Sequence, residues 1–120
     1  MDKRILVIED EADISKLLEL RLKSLGFKVC TMGDTRNAFL SIEQSRSDLI
    51  ILDLLLPIER GEVFCKQLKS DHRYKDIPVI LFTASSCNIL DRVKDTGADD
   101  GIIKPFDPEE LISKINMLTS

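Results

Sequence analysis

Residues 49–53 read Leu-Ile-Ile-Leu-Asp, an apolar run that ends in an aspartate. An ionisable side chain is seldom placed there without a partner or a function, because a buried unpaired charge is costly. Other apolar runs end in a similar way: residues 5–8 lead into Glu9 and Asp10, residues 79–82 into Thr83, and residues 102–103 into Lys104 and Pro105. The pattern predicts strands that are followed by polar side chains.

Segments with helical spacing of apolar residues separate these runs, which is typical of parallel strands joined by helices. The carboxyl ends of such strands lie at one edge of the sheet, and ligands bind in the crevice there. We therefore expect three carboxylates, one hydroxyl and one ammonium to meet at a single site. They belong to Glu9, Asp10, Asp53, Thr83 and Lys104.

The charges at this site suggest its chemistry. Two like charges about 4 Å apart repel by roughly 4 kcal/mol near a protein surface, so the carboxylates need a cation. Lys104 can neutralise part of the cluster, and a set of oxygen ligands also suits Mg²⁺. A carboxylate beside Mg²⁺ can attack a phosphoryl group to give an aspartyl phosphate. Thr83 would then donate to one phosphoryl oxygen and Lys104 would pair with another.

Five strands alternate with five helices, which indicates a doubly wound (βα)₅ α/β fold. The first helix should carry an apolar stripe and end at Gly26, a residue suited to a left-handed cap. The second helix should begin at about Asp34, and the fourth should cover about residues 86–96 with few apolar side chains. The fifth should begin behind an Asp107 cap. The stripe of the first helix is Ile14, Leu17, Leu18, Leu22 and Leu25.

At this point the chain resembles a known family, the receiver domain of two-component response regulators. Residues 53–57 with Gly61, and residues 97–100 leading to Lys104, Pro105 and Phe106, carry the resemblance, which covers essentially all 120 residues. It implies one receiver domain over residues 1–120 with a flavodoxin-like sheet of strand order 2-1-3-4-5. Strands 1 and 3 would then be neighbours, with the switch point of the sheet between them.

The resemblance also implies a role for each site residue. Asp53 would be the phosphoacceptor, and a histidine kinase or phosphotransfer protein would be the donor. Glu9 and Asp10 would bind Mg²⁺ with Asp53, directly or through water, and the backbone carbonyl of Leu55 would be a further ligand. The acidic pair is Glu-Asp where Asp-Asp is commoner in the family.

The same resemblance implies a switch. Thr83 would be the switch hydroxyl, and Lys104 would precede a proline whose peptide bond is often cis. In receivers an aromatic ring on the fifth strand fills the space that the moving hydroxyl leaves, but that position here is Gly101. We therefore predict that phosphorylation mainly reorders residues 84–89 and the start of the fourth helix, with little change at the fifth strand.

Composition limits the remaining possibilities. A chain of 120 residues with 43% hydrophobic content suits one domain with one core. The net charge of −4 gives no basic surface for nucleic acid, so we expect no direct nucleic-acid binding. Three cysteines without CxxC spacing fit a reducing compartment. No run approaches the roughly 18 apolar residues of a membrane span, so we expect no membrane insertion and a cytoplasmic protein.

Several functions can be weighed on these residues. We expect a signalling domain that catalyses only its own Mg²⁺-dependent phosphorylation and dephosphorylation, with an output partner that the sequence does not name. The alternative is a receiver-like interaction module that acts without phosphorylation, suggested by Gly101. A hydrolase of the haloacid dehalogenase type would need a second aspartate where Leu55 stands. Flavin binding is disfavoured because three carboxylates repel the FMN phosphate.

Overall fold

The computed structural model describes residues 3–84 and 88–119. Strands and helices alternate through these residues. The strands are β1 (Arg4–Ile8), β2 (Lys28–Met32), β3 (Leu49–Asp53), β4 (Val79–Ala84) and β5 (Asp100–Lys104). The helices are α1 (Ala12–Ser24), α2 (Ala38–Ser45), α3 (Gly61–Lys69), α4 (Ile89–Thr96) and α5 (Pro108–Thr119).

The five strands are parallel and form one sheet in the order β2-β1-β3-β4-β5. The predicted fold class and strand order are therefore confirmed. The chain passes from β1 outward to β2 and then crosses back to β3, so β1 and β3 are neighbours, with Ile8 opposite Leu52. Glu9 follows Ile8 in the chain, and Asp53 follows Leu52. The order of the strands thus brings these two acids to the switch point.

Side chains alternate between the two faces of the sheet, and this produces two apolar layers. Ile50 and Leu52 of β3 face a layer formed with α2, α3 and α4. Leu49 and Ile51 face a second layer formed with α1 and α5. Because β3 is covered on both sides, all of its residues are buried and its sequence is a continuous apolar run.

Helix α1 uses a narrower apolar stripe than the sequence predicted. Leu18 and Leu22 are buried, but Leu17 is 65% exposed and Leu25 is also exposed, so the prediction for these two leucines is wrong. Successive helical residues are about 100° apart, and a helix that turns Leu18 toward the sheet turns Leu17 away from its centre. The predicted end is confirmed, because Gly26 follows the helix with a φ of 95°.

Helix α2 begins at Ala38, four residues later than the predicted start at Asp34, so that prediction is wrong. The Asp34 carboxylate accepts a hydrogen bond from the backbone N–H of Arg36 at 3.0 Å, which closes a local turn. Aspartate side chains can form this turn or a helix cap, and they compete with the backbone in both cases. Here the turn forms, and the helix starts after Asn37.

The last two helices begin behind polar caps. Helix α4 starts at Ile89, and the Asn88 side chain accepts from the N–H of Asp91 at 3.4 Å. The predicted start at residue 86 lies outside the described residues. Ahead of α5, the Asp107 carboxylate accepts from the N–H of Glu109 at 2.9 Å, as expected for a cap. Across residues 3–84 and 88–119, no helix combines the length and apolar character that crossing a membrane requires.

Candidate functional site

Three carboxylates meet at the carboxyl edge of the sheet. Glu9, Asp10 and Asp53 each place an oxygen so that these oxygens lie within 4.8 Å of one another. Glu9 and Asp53 are buried, whereas Asp10 is exposed. A cluster of this kind repels itself strongly, because burial removes the water that would screen the charges. The site therefore needs a positive charge, and its oxygen donors are of the type that a hard divalent cation prefers.

Lys104 supplies one positive charge from the far edge of the sheet. Its ammonium Nζ lies 2.6 Å from Oε1 of Glu9 and 3.2 Å from Oδ2 of Asp53. Only 13% of the lysine side chain is exposed. The ammonium also lies 4.7 Å from the centre of the Phe82 ring, a favourable position for a cation over an aromatic face. The lysine is thus held at the site by both charge and packing.

Backbone groups fix the orientation of Asp53. Its Oδ1 accepts from the N–H of Leu55 at 3.1 Å, while its Oδ2 faces Lys104. The loop that follows then folds back, and the N–H of Gly61 donates to the carbonyl of Leu54 at 3.0 Å. A methyl group on Gly61 would lie 2.1 Å from the carbonyl oxygen of Asp53. Glycine is required there because α3 begins in direct contact with the backbone of the aspartate.

Glu9 and Lys104 each have a shifted pKa at this site. Burial raises the pKa of Glu9 from 4.5 to about 7, and the hydrogen bond and charge of Asp53 add to the effect, although Lys104 opposes it. Burial alone would lower the pKa of Lys104, but its hydrogen bonds and charge interactions with Glu9 and Asp53 raise it. The lysine therefore stays charged, and Glu9 is partly protonated near neutral pH in the metal-free site.

Thr83 lies near the same edge on the neighbouring strand. Asp53 is opposite Phe82 in the sheet register, so the threonine is one residue beyond the aspartate along β4. Thr83 is buried and is opposite Ile103 of β5. On β5 the next residue is Lys104, whose peptide bond to Pro105 is cis. The structure thus brings the five predicted side chains to one edge of the sheet.

The loop between β3 and α3 contains features that the sequence did not reveal. Ile58 has a φ of 72°, a left-handed conformation that is unfavourable for a β-branched residue, and its side chain is 72% exposed. Glu59 accepts a hydrogen bond from the Thr35 hydroxyl at 2.8 Å, which ties the loop to the segment before α2. Arg60 lies 3.5 Å from Glu62 and is largely exposed. These residues belong to the loop that follows Asp53 in sequence.

Comparison with known proteins identifies the family. The model of the response regulator receiver domain matches residues 5–116. The chain therefore belongs to the receiver domain family of response regulators, the signalling domain of two-component systems, as its resemblance predicted.

Individual relatives agree with this assignment. The chain is 36% identical over 117 residues to the DNA-binding response regulator MtrA of Mycobacterium tuberculosis, covering 96% of this chain and 50% of that protein. It spans about half the length of the curated relatives it matches. The solved structure of a signal receiver domain from a histidine kinase of Syntrophus aciditrophicus is 33% identical, with a TM-score of 0.89 and coverage of 98% of this chain and 89% of that chain. The chemotaxis protein CheY4 of Vibrio cholerae has a TM-score of 0.89 and 27% identity, covering 98% of this chain and 99% of that chain.

Proposed function

We propose that Asp53 is the phosphoacceptor of a receiver domain formed by residues 1–120. The observation that carries this proposal is the orientation of its carboxylate. One oxygen accepts the N–H of Leu55 and the other faces Lys104, at a site shared with Glu9 and Asp10. A carboxylate held in this way presents a fixed nucleophile to a phosphoryl group that enters from the edge of the sheet.

Mg²⁺ is the proposed cofactor. Glu9, Asp10 and Asp53 would hold it together with the backbone carbonyl of Leu55. The ion would supply positive charge that stabilises the phosphoryl oxygens. The donor set supports this choice, because all of its members are oxygens and the cluster carries more negative than positive charge.

Lys104 and Thr83 would each bind one oxygen of the phosphoryl group. Lys104 already faces Oδ2 of Asp53, so its ammonium would pair with a phosphoryl oxygen attached there. Thr83 would donate its hydroxyl to another oxygen of the same group. We expect Thr83→Ala to allow phosphorylation and to weaken the structural response, because the carboxylate and the lysine remain in place. The same site would also catalyse the loss of its own phosphoryl group.

The proposed phosphoryl donor is a histidine kinase or a histidine phosphotransfer protein, and the output would be a change in the affinity for a partner protein. The net charge of −4 argues against nucleic-acid binding by residues 1–120 themselves. MtrA is named as a DNA-binding response regulator, and it is about twice as long as this chain. DNA binding would therefore require protein sequence beyond the receiver residues.

Acetyl phosphate provides a direct test that needs no partner. Incubation with acetyl phosphate and Mg²⁺ should add one phosphoryl group to the parent protein, as measured by intact mass. Asp53→Asn keeps the shape of the side chain but removes the nucleophilic oxygen, so it should add none. Full phosphorylation in excess chelator would contradict the role of Mg²⁺. Equal phosphorylation of Asp53→Asn would contradict the assignment of the acceptor.

A further inference from the structure

The loops that precede α2 and α3 are joined by a hydrogen bond between side chains. The Thr35 hydroxyl donates to Oε1 of Glu59 at 2.8 Å, although 24 residues separate the two in sequence. Thr35 is only 7% exposed and Glu59 is half-buried. Water competes little at such a place, and hydrogen bonds to a charged acceptor are stronger than those between neutral groups. The contact is therefore a firm connection between the two loops.

Local hydrogen bonds fix the Thr35 side of this connection. The Asp34 carboxylate accepts from the backbone N–H of Arg36 at 3.0 Å and from Nη2 of its guanidinium at 2.9 Å. The Thr35 carbonyl accepts from the N–H of Ala38, the first residue of α2, at 3.1 Å. Thr35 thus lies in a turn that is closed from both directions. The late start of α2 leaves the residue in this turn, from which its hydroxyl reaches Glu59.

A strained turn presents Glu59 from the other side. Its N–H donates to the Pro57 carbonyl at 2.8 Å, which closes a three-residue γ-turn centred on Ile58. The φ of Ile58 is 72°, and a strained turn of this kind persists only where surrounding contacts hold it. The exposed Ile58 side chain provides little of that support. The bond from Thr35 to the next residue, Glu59, is a side-chain contact that does.

The strand order places this bond beside the acidic cluster. Strand β1 lies between β2 and β3 in the sheet, and it leads into Glu9 and Asp10. The loop that contains Thr35 follows β2, and the loop that contains Glu59 follows β3. Their hydrogen bond therefore joins the loops on either side of the strand that supplies two of the three carboxylates.

The loop before α3 also carries the proposed carbonyl ligand for Mg²⁺. Near its start, the N–H of Leu55 donates to Oδ1 of Asp53 at 3.1 Å. At its end, the N–H of Gly61 donates to the Leu54 carbonyl at 3.0 Å. Residues 55–60 lie outside any helix or strand. The hydrogen bond from the neighbouring loop restrains this stretch, and the direction of the Leu55 carbonyl depends on how the stretch is held.

We propose that Thr35 and Glu59 are positioning residues for Mg²⁺, because their hydrogen bond holds the loop whose Leu55 carbonyl would bind the ion. This inference rests on the proposed function, in which the ion joins that carbonyl to the three carboxylates of the site. Glu59 would not itself be a ligand. Among the described residues, the three carboxylates of the site lie together without it, and its Oε1 accepts from the Thr35 hydroxyl.

Calorimetric titration of the chain with Mg²⁺ tests the proposal without any phosphoryl donor. Thr35→Val keeps the branched shape of the side chain but removes the hydroxyl, and it should bind Mg²⁺ about ten-fold more weakly than the parent. Thr35→Ser keeps the hydroxyl and should bind Mg²⁺ with the affinity of the parent. Because residue 35 would not touch the ion, a loss of affinity that serine avoids would come from the hydrogen bond.

Two Glu59 variants separate the hydrogen bond from the charge. Glu59→Gln and Glu59→Met both remove the negative charge, but only glutamine keeps an oxygen that can accept from Thr35. Glu59→Met should therefore bind Mg²⁺ several-fold more weakly than Glu59→Gln. Adding Thr35→Val to Glu59→Met should change the affinity little, because the bond is already broken. If Thr35→Val fails to fold, the two Glu59 variants decide the question.

Two controls distinguish this effect from the loss of a hydroxyl or of stability in general. Thr119→Val makes the same substitution at the last residue of α5, where the hydroxyl donates to the Ile115 carbonyl at 2.8 Å. Ile115→Val removes a methylene group from the core layer formed with α1 and α5, and it should lower the midpoint of urea unfolding. Both variants should bind Mg²⁺ like the parent.

The outcomes separate this inference from the function on which it rests. Weaker Mg²⁺ binding by Thr35→Val and Glu59→Met, with Thr35→Ser and both controls like the parent, would support the inference. If folded Thr35→Val and Glu59→Met bound Mg²⁺ as tightly as Thr35→Ser and Glu59→Gln, or more tightly, the inference alone would be overturned. A parent protein that binds no Mg²⁺ would overturn both the inference and the proposed metal site.

Discussion

Lys104 donates to Glu9 at a distance of 2.6 Å, although 95 residues separate them in sequence. Glu9 follows β1, and Lys104 is the last residue of β5. Strands β3 and β4 lie between β1 and β5, so the lysine side chain extends across the edge of the sheet. The same ammonium faces Asp53. A single cation thus contacts both of the buried acids that belong to the proposed metal site.

Replacing this lysine should change metal binding in a defined direction. Lys104→Met keeps most of the side-chain length but removes the competing positive charge, so Mg²⁺ should bind about ten-fold more tightly. The same variant should be impaired in holding the phosphorylated state, because one phosphoryl oxygen loses its partner. Calorimetric titration with Mg²⁺ provides the test, and Lys114→Met, at an ion pair with Asp100 away from the site, is the control. Weaker Mg²⁺ binding by Lys104→Met would show that the lysine does not compete with the metal.

The pKa of Glu9 predicts how stability depends on pH in the absence of metal. The folded value of about 7 is above the usual 4.5, so between these two pH values the folded protein binds a proton that the unfolded chain has released. The contribution of Glu9 to the free energy of unfolding is fully present below about pH 4.5 and is lost as the pH rises through 7. This loss is at most about 3 kcal/mol. Urea unfolding in chelator should therefore show a steeper decline from pH 5 to 7.5 for the parent than for Glu9→Gln. Equal slopes would contradict the shifted pKa.

Lys69 should be among the most important charged residues for stability. Its ammonium donates to the carbonyls of Lys75 at 3.1 Å and Ile77 at 2.7 Å, and to Asp99 at 2.7 Å. Lys69→Met would remove the donor from the Lys75 and Ile77 carbonyls, whereas Asp99 would keep the N–H of Val79 at 2.8 Å, and we expect a loss of about 1–3 kcal/mol. Lys66→Met, on an exposed position of the same helix, should change the free energy of unfolding by less than about 0.5 kcal/mol. A similar small effect for both would contradict the network.

Ile58 should destabilise the protein through its backbone. The left-handed φ of 72° costs a β-branched residue of order 1–3 kcal/mol, and the exposed side chain recovers little by packing. Ile58→Asn should raise the free energy of unfolding by about 1 kcal/mol, because asparagine tolerates this conformation. Ile58→Val keeps the branched Cβ and should produce no gain. The two midpoints of thermal unfolding decide this, and equal midpoints would show that strain at residue 58 is not released.

Much of the site was predictable because parallel strands have a simple geometry. Polar residues that follow apolar runs must gather at one edge once the strands are parallel, and so Glu9, Asp53 and Lys104 were placed together from sequence. The resemblance to receivers supplied the strand order, which the apolar runs alone do not determine. These features depend on chain direction and burial, and both leave clear periodic signals in the sequence.

The rest depended on contacts that periodicity does not encode. Asp34 could equally form a turn or a cap, and only the tertiary structure decides between them. Gly101 was visible as an unusual residue, but its close contact with Ile89 depends on where α4 packs. The left-handed conformation of Ile58 was hidden because nothing in its residue type suggests it. The contact of Gly101 involves a neighbour that is remote in sequence, and Ile58 adopts a backbone state that its residue type disfavours.

We propose that Asp53 forms an acyl phosphate, and chemical trapping at this residue is the most direct test. Borohydride reduces an aspartyl phosphate to homoserine, which peptide mass spectrometry locates in the sequence. After treatment with acetyl phosphate and Mg²⁺, we expect homoserine at position 53 alone, and none when Mg²⁺ is removed by chelator. Homoserine at Asp10 or at another acid, or a phosphoryl group on a hydroxyl side chain with position 53 unchanged, would contradict it.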